Sequence, residues 1–322
     1  MIRALVVAAF ASALVYAVMI FVSDGPQVLE ALKRFPIGTF LLMLLLGAGC
    51  YIIRALRWGA LMRVAGSPMR VMDALYVHLA GQTMSVSPGR VGEVLKPWLA
   101  REIVGLPMSR GIALVFTERV ADLIAVCILS LGGLTALGGG SLWLVVGLGA
   151  IVVGTLVASS GWFHRLALGV IARQEWARRH HDSAVAISET IRASLDWRVL
   201  SWSVPASAVA WGLEGVGFAL CLRALGFLEI DFAAGISVYA VSTIVGAFTF
   251  LPGGIGLTEA SMVGILVAAG MGASGASAAT LVTRVATLWW GVVIGWAVIA
   301  SRPALFRRLV SMREDSAGRD GE

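Results

Sequence analysis

The feature that most constrains this chain is a series of apolar runs, each about as long as a membrane-spanning helix. A helix needs about 20 apolar residues to cross about 30 Å of hydrocarbon. Of the 322 residues, 58% are hydrophobic and only 14% are charged, which is too little polar material to cover a water-soluble surface of this size. The sequence therefore predicts an all-α, polytopic transmembrane bundle with about six spans. These spans are Ile2–Val22, Gly38–Ile53, Arg110–Leu131, Leu142–Ala158, Trp202–Leu222 and Ser277–Ala300.

Two further apolar regions, Met72–Ile103 and Phe232–Gly270, are interrupted by proline and glycine. Proline removes a backbone donor, and glycine favours the unwinding of a helix. Bare backbone groups at membrane depth are tolerated only where protein or a water-filled cavity surrounds them. Both regions are therefore predicted to be re-entrant helical hairpins. Their structural loops contain Pro88, Gly89 and Gly92 in the first hairpin and Pro252, Gly253, Gly254 and Gly256 in the second.

The two interrupted regions belong to an internal repeat. Pro88 aligns with Pro252 at an offset of 252 − 88 = 164 residues. Arg119 aligns with Arg284 at an offset of 284 − 119 = 165 residues, so one inserted residue reconciles the two alignments. A broken helix followed by an arginine within a span therefore recurs in the same order.

The predicted topology inverts this repeat. An odd number of crossings separates the corresponding spans Gly38–Ile53 and Trp202–Leu222, so the halves, about 1–160 and 161–322, point in opposite directions within one transmembrane domain. Inverted halves with broken helices near the midplane are typical of secondary transporters, because one site can then be presented to either side. A duplicated scaffold that transports nothing is the alternative.

Lysine and arginine are distributed unevenly, and they favour the cytoplasmic side of a membrane. With the N-terminus inside, the cytoplasmic side receives a basic loop, a helical linker at about 162–198 and the tail 301–322, while the outer side keeps only Lys33, Arg34 and Arg223. The net charge of +6 is thereby explained without nucleic acid, and the basic face suits anionic lipid headgroups. The residues assigned to the basic loop are Arg54, Arg57, Arg63 and Arg70.

Charges within the predicted spans are the strongest candidates for a site. Glu118 and Asp122 are four residues apart and share a helical face, and Arg119 can pair with Asp122. A charge at the centre of a membrane is costly, and such residues usually face the protein interior and mark pathways. The alternative is that Glu118, Arg119 and Asp122 join helices through buried ion pairs. Arg284 has the same two interpretations.

The first hairpin loop contains Arg90 and Glu93, with Lys96 one turn later. Helix N-termini attract anions, and the planar fork of an arginine can bind two phosphate oxygens, so lipid-phosphate contact is predicted here. The alternative is that Arg90 and Glu93 neutralise each other at the interface. Glu259 is expected to cap the helix after the second break. Glu214, in the middle of a span, is expected to find a partner such as Arg284.

The remaining features point to structural roles. Neither a metal site nor a cofactor is predicted, and the three cysteines lie within apolar runs as small hydrophobic residues. Gly291 and Gly295 are expected to mediate packing between helices of the chain. Tryptophans near the span ends are expected to form an interfacial belt. They include Trp58, Trp98, Trp143, Trp202 and Trp296.

Three blocks of the sequence occur in order: Pro88-Gly89-Arg90-Val91-Gly92-Glu93, Thr117-Glu118-Arg119-Val120-Ala121-Asp122, and Pro252-Gly253-Gly254-Ile255-Gly256 with Glu259-Ala260. They resemble one known family, the lysylphosphatidylglycerol synthase transmembrane region, or flippase-like, family, over nearly the whole chain. The resemblance implies a bacterial or archaeal membrane domain that moves aminoacylated phospholipids, polyprenyl-phosphate sugars or hopanoid-type lipids. Since the chain ends about twenty residues after the last predicted span, we expect no synthase domain and no enzymatic activity. By resemblance, the polar set within the membrane is Arg90, Glu93, Glu118, Arg119 and Asp122.

Three functions are consistent with these features. The first is translocation of an anionic lipid between the leaflets of a bacterial inner membrane. The second is transport of a small solute or ion. The third is a non-transporting accessory role in envelope-lipid synthesis, beside a biosynthetic enzyme. The candidate substrate-binding residues are Arg90, Glu93, Lys96, Glu118, Arg119, Asp122, Glu214, Glu259 and Arg284.

Overall fold

The computed structural model describes residues 2–86, 93–134, 181–247 and 252–303, together with Gly149, Thr155 and Leu305. These four ranges contain eleven helices and no strand, so the predicted all-α membrane bundle is confirmed. The helices are α1 (Ile2–Val22), α2 (Gly25–Arg34), α3 (Ile37–Val64), α4 (Val71–Gln82), α5 (Leu95–Val104), α6 (Met108–Leu134), α7 (His181–Ser194), α8 (Trp197–Ala224), α9 (Phe232–Ala247), α10 (Leu257–Ala268) and α11 (Ala273–Ala300).

Three helices, α3, α8 and α11, are long and apolar enough to cross a membrane. Each has 28 residues, which corresponds to about 42 Å at 1.5 Å per residue. The predicted first span coincides with α1, and α6 contains the predicted span Arg110–Leu131. The predicted span Leu142–Ala158 lies outside the described residues, apart from Gly149 and Thr155.

The predicted end of the second span is wrong. The sequence predicts that the span stops at Ile53 and that Arg54 and Arg57 lie in a cytoplasmic loop, but α3 continues to Val64. Hydropathy alone ends an apolar run at its first arginine. Here the helix continues because Arg57 is buried against carboxylates of α6, which neutralise its charge.

Helices α3 and α8 pack against each other in opposite directions. Met43 of α3 packs with Phe218 near the end of α8, whereas Arg57 contacts Ser207, which lies nearer its start. Between these contacts, Cys50 meets Glu214, at a separation of 164 residues, the repeat offset itself. Since the two helices are equivalent in the repeat, their antiparallel packing means that the halves are inverted. Cys50 and Glu214, as equivalent residues in contact, mark the pseudo-twofold axis.

The contacts between helices repeat in pairs around this axis. Helix α4 packs on α11 as α9 packs on α6, and α2 packs on α11 as α7 packs on α6. The hairpins, formed by α4 with α5 and by α9 with α10, each follow the C-terminal end of α3 or α8. Because α3 and α8 are antiparallel, the two hairpins begin at opposite ends of the bundle.

The short helices α2 and α7 hold equivalent places in the two halves. Helix α2 meets α1 at an angle of 107°. The turn between them is made by Asp24, whose φ of 62° is the only positive value among the non-glycine residues described.

The sequence predicts a helical linker at about 162–198. In the structure, α7 ends at Ser194 and α8 already begins at Trp197. Residues 162–180 of that region lie outside the described residues.

The predicted tryptophan belt is wrong for two of its members. Trp58 and Trp98 are buried with Leu61, Leu99 and Leu106 in a core between α3, α4, α5 and the start of α6. Their large rings fill space between helices that meet at this end of the bundle, and so they do not reach the interface. Trp143 lies outside the described residues.

The predicted packing role of Gly291 and Gly295 is confirmed. A Cβ atom at Gly291 would lie 2.8 Å from the Tyr51 hydroxyl of α3. A Cβ atom at Gly295 would lie 2.7 Å from the backbone nitrogen of Thr83 and 2.8 Å from the Leu79 carbonyl oxygen. Helix α11 therefore needs glycine where it crosses α3 and α4.

We predict that Gly295→Ala lowers the stability of the purified protein. Backbone atoms surround the added methyl group and cannot move away, so the overpacking is expected to cost roughly 1–3 kcal/mol. The measurement is the thermal unfolding midpoint in detergent. Gly264→Ala in α10 is the matched control, because no atom lies within 4 Å of the place that its added methyl group would take. Equal midpoints for the two variants would contradict the close crossing.

Candidate functional site

A polar cavity of about 150 Å³ lies where the two hairpins meet in the bundle. Residues of α3, α6, α8 and α11 complete its wall. Gly253, in the loop of the second hairpin, comes so close to the end of α4 that a Cβ atom there would lie 3.7 Å from the Ser85 carbonyl oxygen. The two interrupted regions, which are far apart in sequence, thus share one space.

Charged side chains dominate the wall of this cavity. Basic and acidic residues from five helices, and from the short turn that precedes α5, line the cavity together. The charged residues are Arg54, Arg57, Lys96, Arg119, Arg284, Glu93, Glu118, Asp122 and Glu214.

One group of charges joins α3, α5 and α6. Arg57 Nη1 donates to Asp122 Oδ1 at 2.7 Å, and Arg57 Nη2 lies 3.5 Å from Glu118 Oε1. Lys96 Nζ donates to the other oxygen of Glu118 and lies 4.5 Å from the centre of the Trp58 ring. All four charged side chains are buried, so each is stable only because it has partners of opposite charge.

A second kind of ion pair recurs in both halves of the repeat. Arg119 of α6 binds Glu93 through two contacts, Nη2–Oε1 at 2.8 Å and Nε–Oε2 at 3.0 Å. Arg284 of α11 donates to Glu259 Oε1 at 2.6 Å. The two arginines occupy equivalent positions of the repeat. Each one joins the second half of the preceding hairpin to its own long helix, α6 or α11.

Glu259 also forms the predicted helix cap. Its second oxygen accepts a hydrogen bond from the Gly256 backbone nitrogen at 2.7 Å. Arg284 Nη2 donates to the Gly253 carbonyl oxygen at 2.8 Å. Gly253, Gly254 and Gly256 have φ values of 58°, 68° and 96°, a region that side chains disfavour, so the loop needs glycine at these positions.

Glu214 lies at the centre of the crossing between α3 and α8. Its carboxylate accepts from Tyr239 Oη at 2.7 Å and from Cys50 Sγ at 3.3 Å, and Arg54 Nη2 lies 3.8 Å away. The predicted pairing of Glu214 with Arg284 is wrong. The second hairpin holds Arg284 through Glu259, whereas Glu214 points toward α3 and α9.

Seven of the nine predicted binding residues line the cavity. Glu259 lies behind Arg284, and Arg90 lies outside the described residues, as do Pro88, Gly89 and Gly92 of the first loop. The predicted binding residues that line the cavity are Glu93, Lys96, Glu118, Arg119, Asp122, Glu214 and Arg284.

Sequence reasoning missed Arg54, Arg57 and His78 as members of the cavity wall. A signal for the arginines existed, because apolar residues continue at helical spacing through Trp58 and Leu61. A helix that remains apolar beyond its arginines indicates that those arginines face protein. No comparable signal marked His78.

Comparison with known proteins agrees with this architecture. Residues 4–295 match the lysylphosphatidylglycerol synthase transmembrane region. The chain belongs to this family. It is therefore an integral, multi-pass membrane protein of a lipid-related family.

Similar proteins include three from Methanothermobacter thermautotrophicus, each described as a UPF0104 membrane protein. One is 26% identical over an alignment of 324 positions, which covers 91% of this chain and 92% of the relative. Another is 26% identical over an alignment of 282 positions, which covers 78% of this chain and 80% of the relative. The third is 24% identical over an alignment of 312 positions, which covers 88% of this chain and 91% of the relative. The similarity thus extends over most of each chain.

We predict that Asp122→Asn destabilises this family member strongly. The substitution removes the negative charge that Arg57 and Arg119 face, and a buried charge without its partner is expected to cost on the order of 3 kcal/mol. The thermal unfolding midpoint in detergent measures the loss. The control is Glu30→Gln, which breaks an exposed ion pair with Arg34 and is expected to cost less than about 1 kcal/mol. A midpoint for Asp122→Asn as high as that of the control would contradict the role of Asp122.

Proposed function

We propose that this protein moves a lipid with an anionic headgroup between the two leaflets of a membrane. The observation that carries the proposal is that two inverted hairpins meet at one charged cavity beside a pseudo-twofold axis. Inverted halves have two equivalent arrangements, in which each half takes the place of the other. A site near the axis then faces one side of the membrane in one arrangement and the other side in the next.

The depth of the cavity supports transport across the membrane. Glu214 lies ten residues before the end of α8 at Ala224, about 15 Å along the helix axis. Charged residues at such depth are expensive and usually mark a pathway for a polar substrate. A headgroup that crosses the membrane needs polar partners of this kind in its middle.

The cations of the cavity support an anionic headgroup. The Arg119 side chain is 40% exposed, although Glu93 and Asp122 both lie against its guanidinium group. Guanidinium groups bind phosphate oxygens in pairs, and phosphate is the charged group that aminoacylated phospholipids and polyprenyl-phosphate sugars, two of the lipid classes implied by the family resemblance, have in common.

The ends of the bundle support the proposed orientation, with both termini in the cytoplasm of a bacterial cell. Arg70 and Arg302 both bind Asp73, at 3.1 and 2.9 Å, so the end of α11 and the start of α4 lie at the same end. The exposed Arg63 at the end of α3 belongs to this end too. A concentration of arginine at one end is typical of a cytoplasmic face.

Two other functions fit parts of these observations. A small-solute or ion transporter would use the same inverted halves, and an accessory protein beside a lipid-biosynthesis enzyme would use the ion pairs only to join helices. In our proposal the protein is a carrier and catalyses no covalent step. Lipid exchange by the purified protein separates the three.

We predict that Thr243→Trp stops lipid exchange. Thr243 lines the cavity from α9, so an indole ring there would fill the space that a headgroup needs. The assay measures loss of a fluorescent phosphatidylglycerol from the outer leaflet of proteoliposomes, and we expect exchange to fall at least about ten-fold. The matched control is Val209→Trp, because Val209 is a 55% exposed residue on the outer surface of α8.

The wild-type protein should exceed protein-free liposomes, and Val209→Trp should match the wild type. If the wild type exchanged no more lipid than empty liposomes, the translocator proposal would be wrong. Ion or solute flux in the same vesicles would then favour a solute transporter, and its absence an accessory role.

A further inference from the structure

The cavity has a surplus of hydrogen-bond donors. Among the described residues that line it, every buried side-chain polar atom without a hydrogen-bond partner is a nitrogen. The four carboxylates of the wall, in contrast, all have donors or cations within reach. The unpartnered nitrogens are Arg54 Nε and Nη2, Arg57 Nε, His78 Nδ1 and Trp211 Nε1.

We propose that Arg54, His78 and Trp211 form a binding site for the phosphate ester of a membrane lipid. This inference rests on the proposed function and deepens it by naming the group that is bound and the residues that bind it. A buried donor without an acceptor is unfavourable, and most such groups in proteins have a partner. Several unpartnered donors on residues that line one cavity need a group that only accepts hydrogen bonds, which is a property of ionised phosphate.

Arg54 is the principal residue of this site. Its nearest anion, Glu214, is 3.8 Å away, which is too far for a hydrogen bond, and both oxygens of Glu214 already accept from Cys50 and Tyr239. The guanidinium carbon lies 4.1 Å from the centre of the Trp211 ring. The Trp211 ring lies against one face of the Arg54 guanidinium group. The N–H edge of that group can therefore donate to two oxygens of one phosphate.

His78 contributes a neutral donor. The Gln82 side-chain nitrogen donates to His78 Nε2 at 3.0 Å, so the ring proton lies on Nδ1, the unpartnered nitrogen. A ring whose Nε2 accepts a hydrogen bond while Nδ1 has the proton is neutral. The histidine therefore adds a hydrogen bond to a phosphate oxygen without adding charge.

The position of the site suits alternating access. Arg54 is one helical turn from Cys50, and Cys50 and Glu214 mark the pseudo-twofold axis. Exchange of the two hairpin arrangements opens a site beside the axis to either side, while Arg54 of α3 and Trp211 of α8 stay in place at the helix crossing. The pairs Arg119–Glu93 and Arg284–Glu259 join the two hairpins to α6 and α11.

The test is native mass spectrometry of the purified full-length protein with added phosphatidylglycerol. Diacylglycerol with the same acyl chains serves as the lipid without phosphate, and inorganic phosphate serves as the phosphate without chains. We expect Arg54→Gln to weaken phosphatidylglycerol binding at least ten-fold and to leave diacylglycerol binding unchanged. We expect excess inorganic phosphate to displace phosphatidylglycerol from the wild type.

Two milder variants keep the test decisive if Arg54→Gln unfolds. Trp211→Phe keeps the ring below Arg54 but loses one N–H, and it is expected to weaken binding about ten-fold, the effect of one hydrogen bond to a charged group. Arg54→Lys keeps the charge but loses the fork and should fall between wild type and Arg54→Gln. Arg63→Gln, on the exposed end of the same helix, is the matched control and should bind as wild type does.

Phosphatidylglycerol binding by folded Trp211→Phe and Arg54→Lys equal to that of the wild type would overturn the site. So would an equal loss of diacylglycerol binding, which would indicate a lost surface for acyl chains and not a lost phosphate site. The leaflet-exchange assay separates this inference from the proposed function. If Arg54→Gln exchanges lipid as fast as the wild type, the site is rejected and the translocator proposal stays intact. If phosphatidylglycerol binding depends on Arg54 but the wild type exchanges no lipid, the site is supported and the translocator proposal is rejected.

Discussion

The antiparallel packing of α3 against α8 is the constraint on which the rest of this structure depends. It places equivalent residues, Cys50 and Glu214, in contact and so defines the pseudo-twofold axis. It also sends the two hairpins in from opposite ends of the bundle. Without this crossing, Glu93 and the glycines that precede α10 would not reach one cavity, and the charges of α6 and α11 would have no common space.

The buried charges fall into two groups with different physical roles. Arg57, Lys96, Glu118 and Asp122 satisfy one another and join α3, α5 and α6, because charges removed from water are stable only with close partners. Arg54 is different, since its guanidinium group is buried beside a carboxylate that already has two other donors. The sequence left open whether the charges within the spans join helices or bind a substrate. In the folded chain these two roles fall to different residues, and the second of them is the subject of our proposal.

Much of the fold could be predicted from the sequence, because a membrane imposes simple rules on length and hydropathy. The bounds of α1, the two interrupted regions and the offset of 164 residues all follow from apolar runs, proline, glycine and a repeated arginine. The end of α3 could not be predicted in this way, because a hydropathy run cannot tell whether an arginine faces water or a carboxylate on a distant helix.

The same limit applies to the candidate site. Glu118, Arg119 and Asp122 stand out because they interrupt an apolar run, and Glu259 stands out because it follows a break. The partner of Glu214 depends on the register of α3 against α8, which no local pattern encodes. His78 is inconspicuous in the sequence, since its importance comes only from the direction in which one ring nitrogen points.

The exchange of short helices between the halves has a consequence for how this bundle can move. Helix α2 of the first half packs on α11 of the second, and α7 of the second packs on α6 of the first. A rigid body that tilts within the membrane must therefore contain helices from both ends of the chain. If the polypeptide were cut between its repeats, the first fragment would lack α7, which packs on α6, and the second would lack α2, which packs on α11. Neither half is therefore an autonomous unit of folding or of motion.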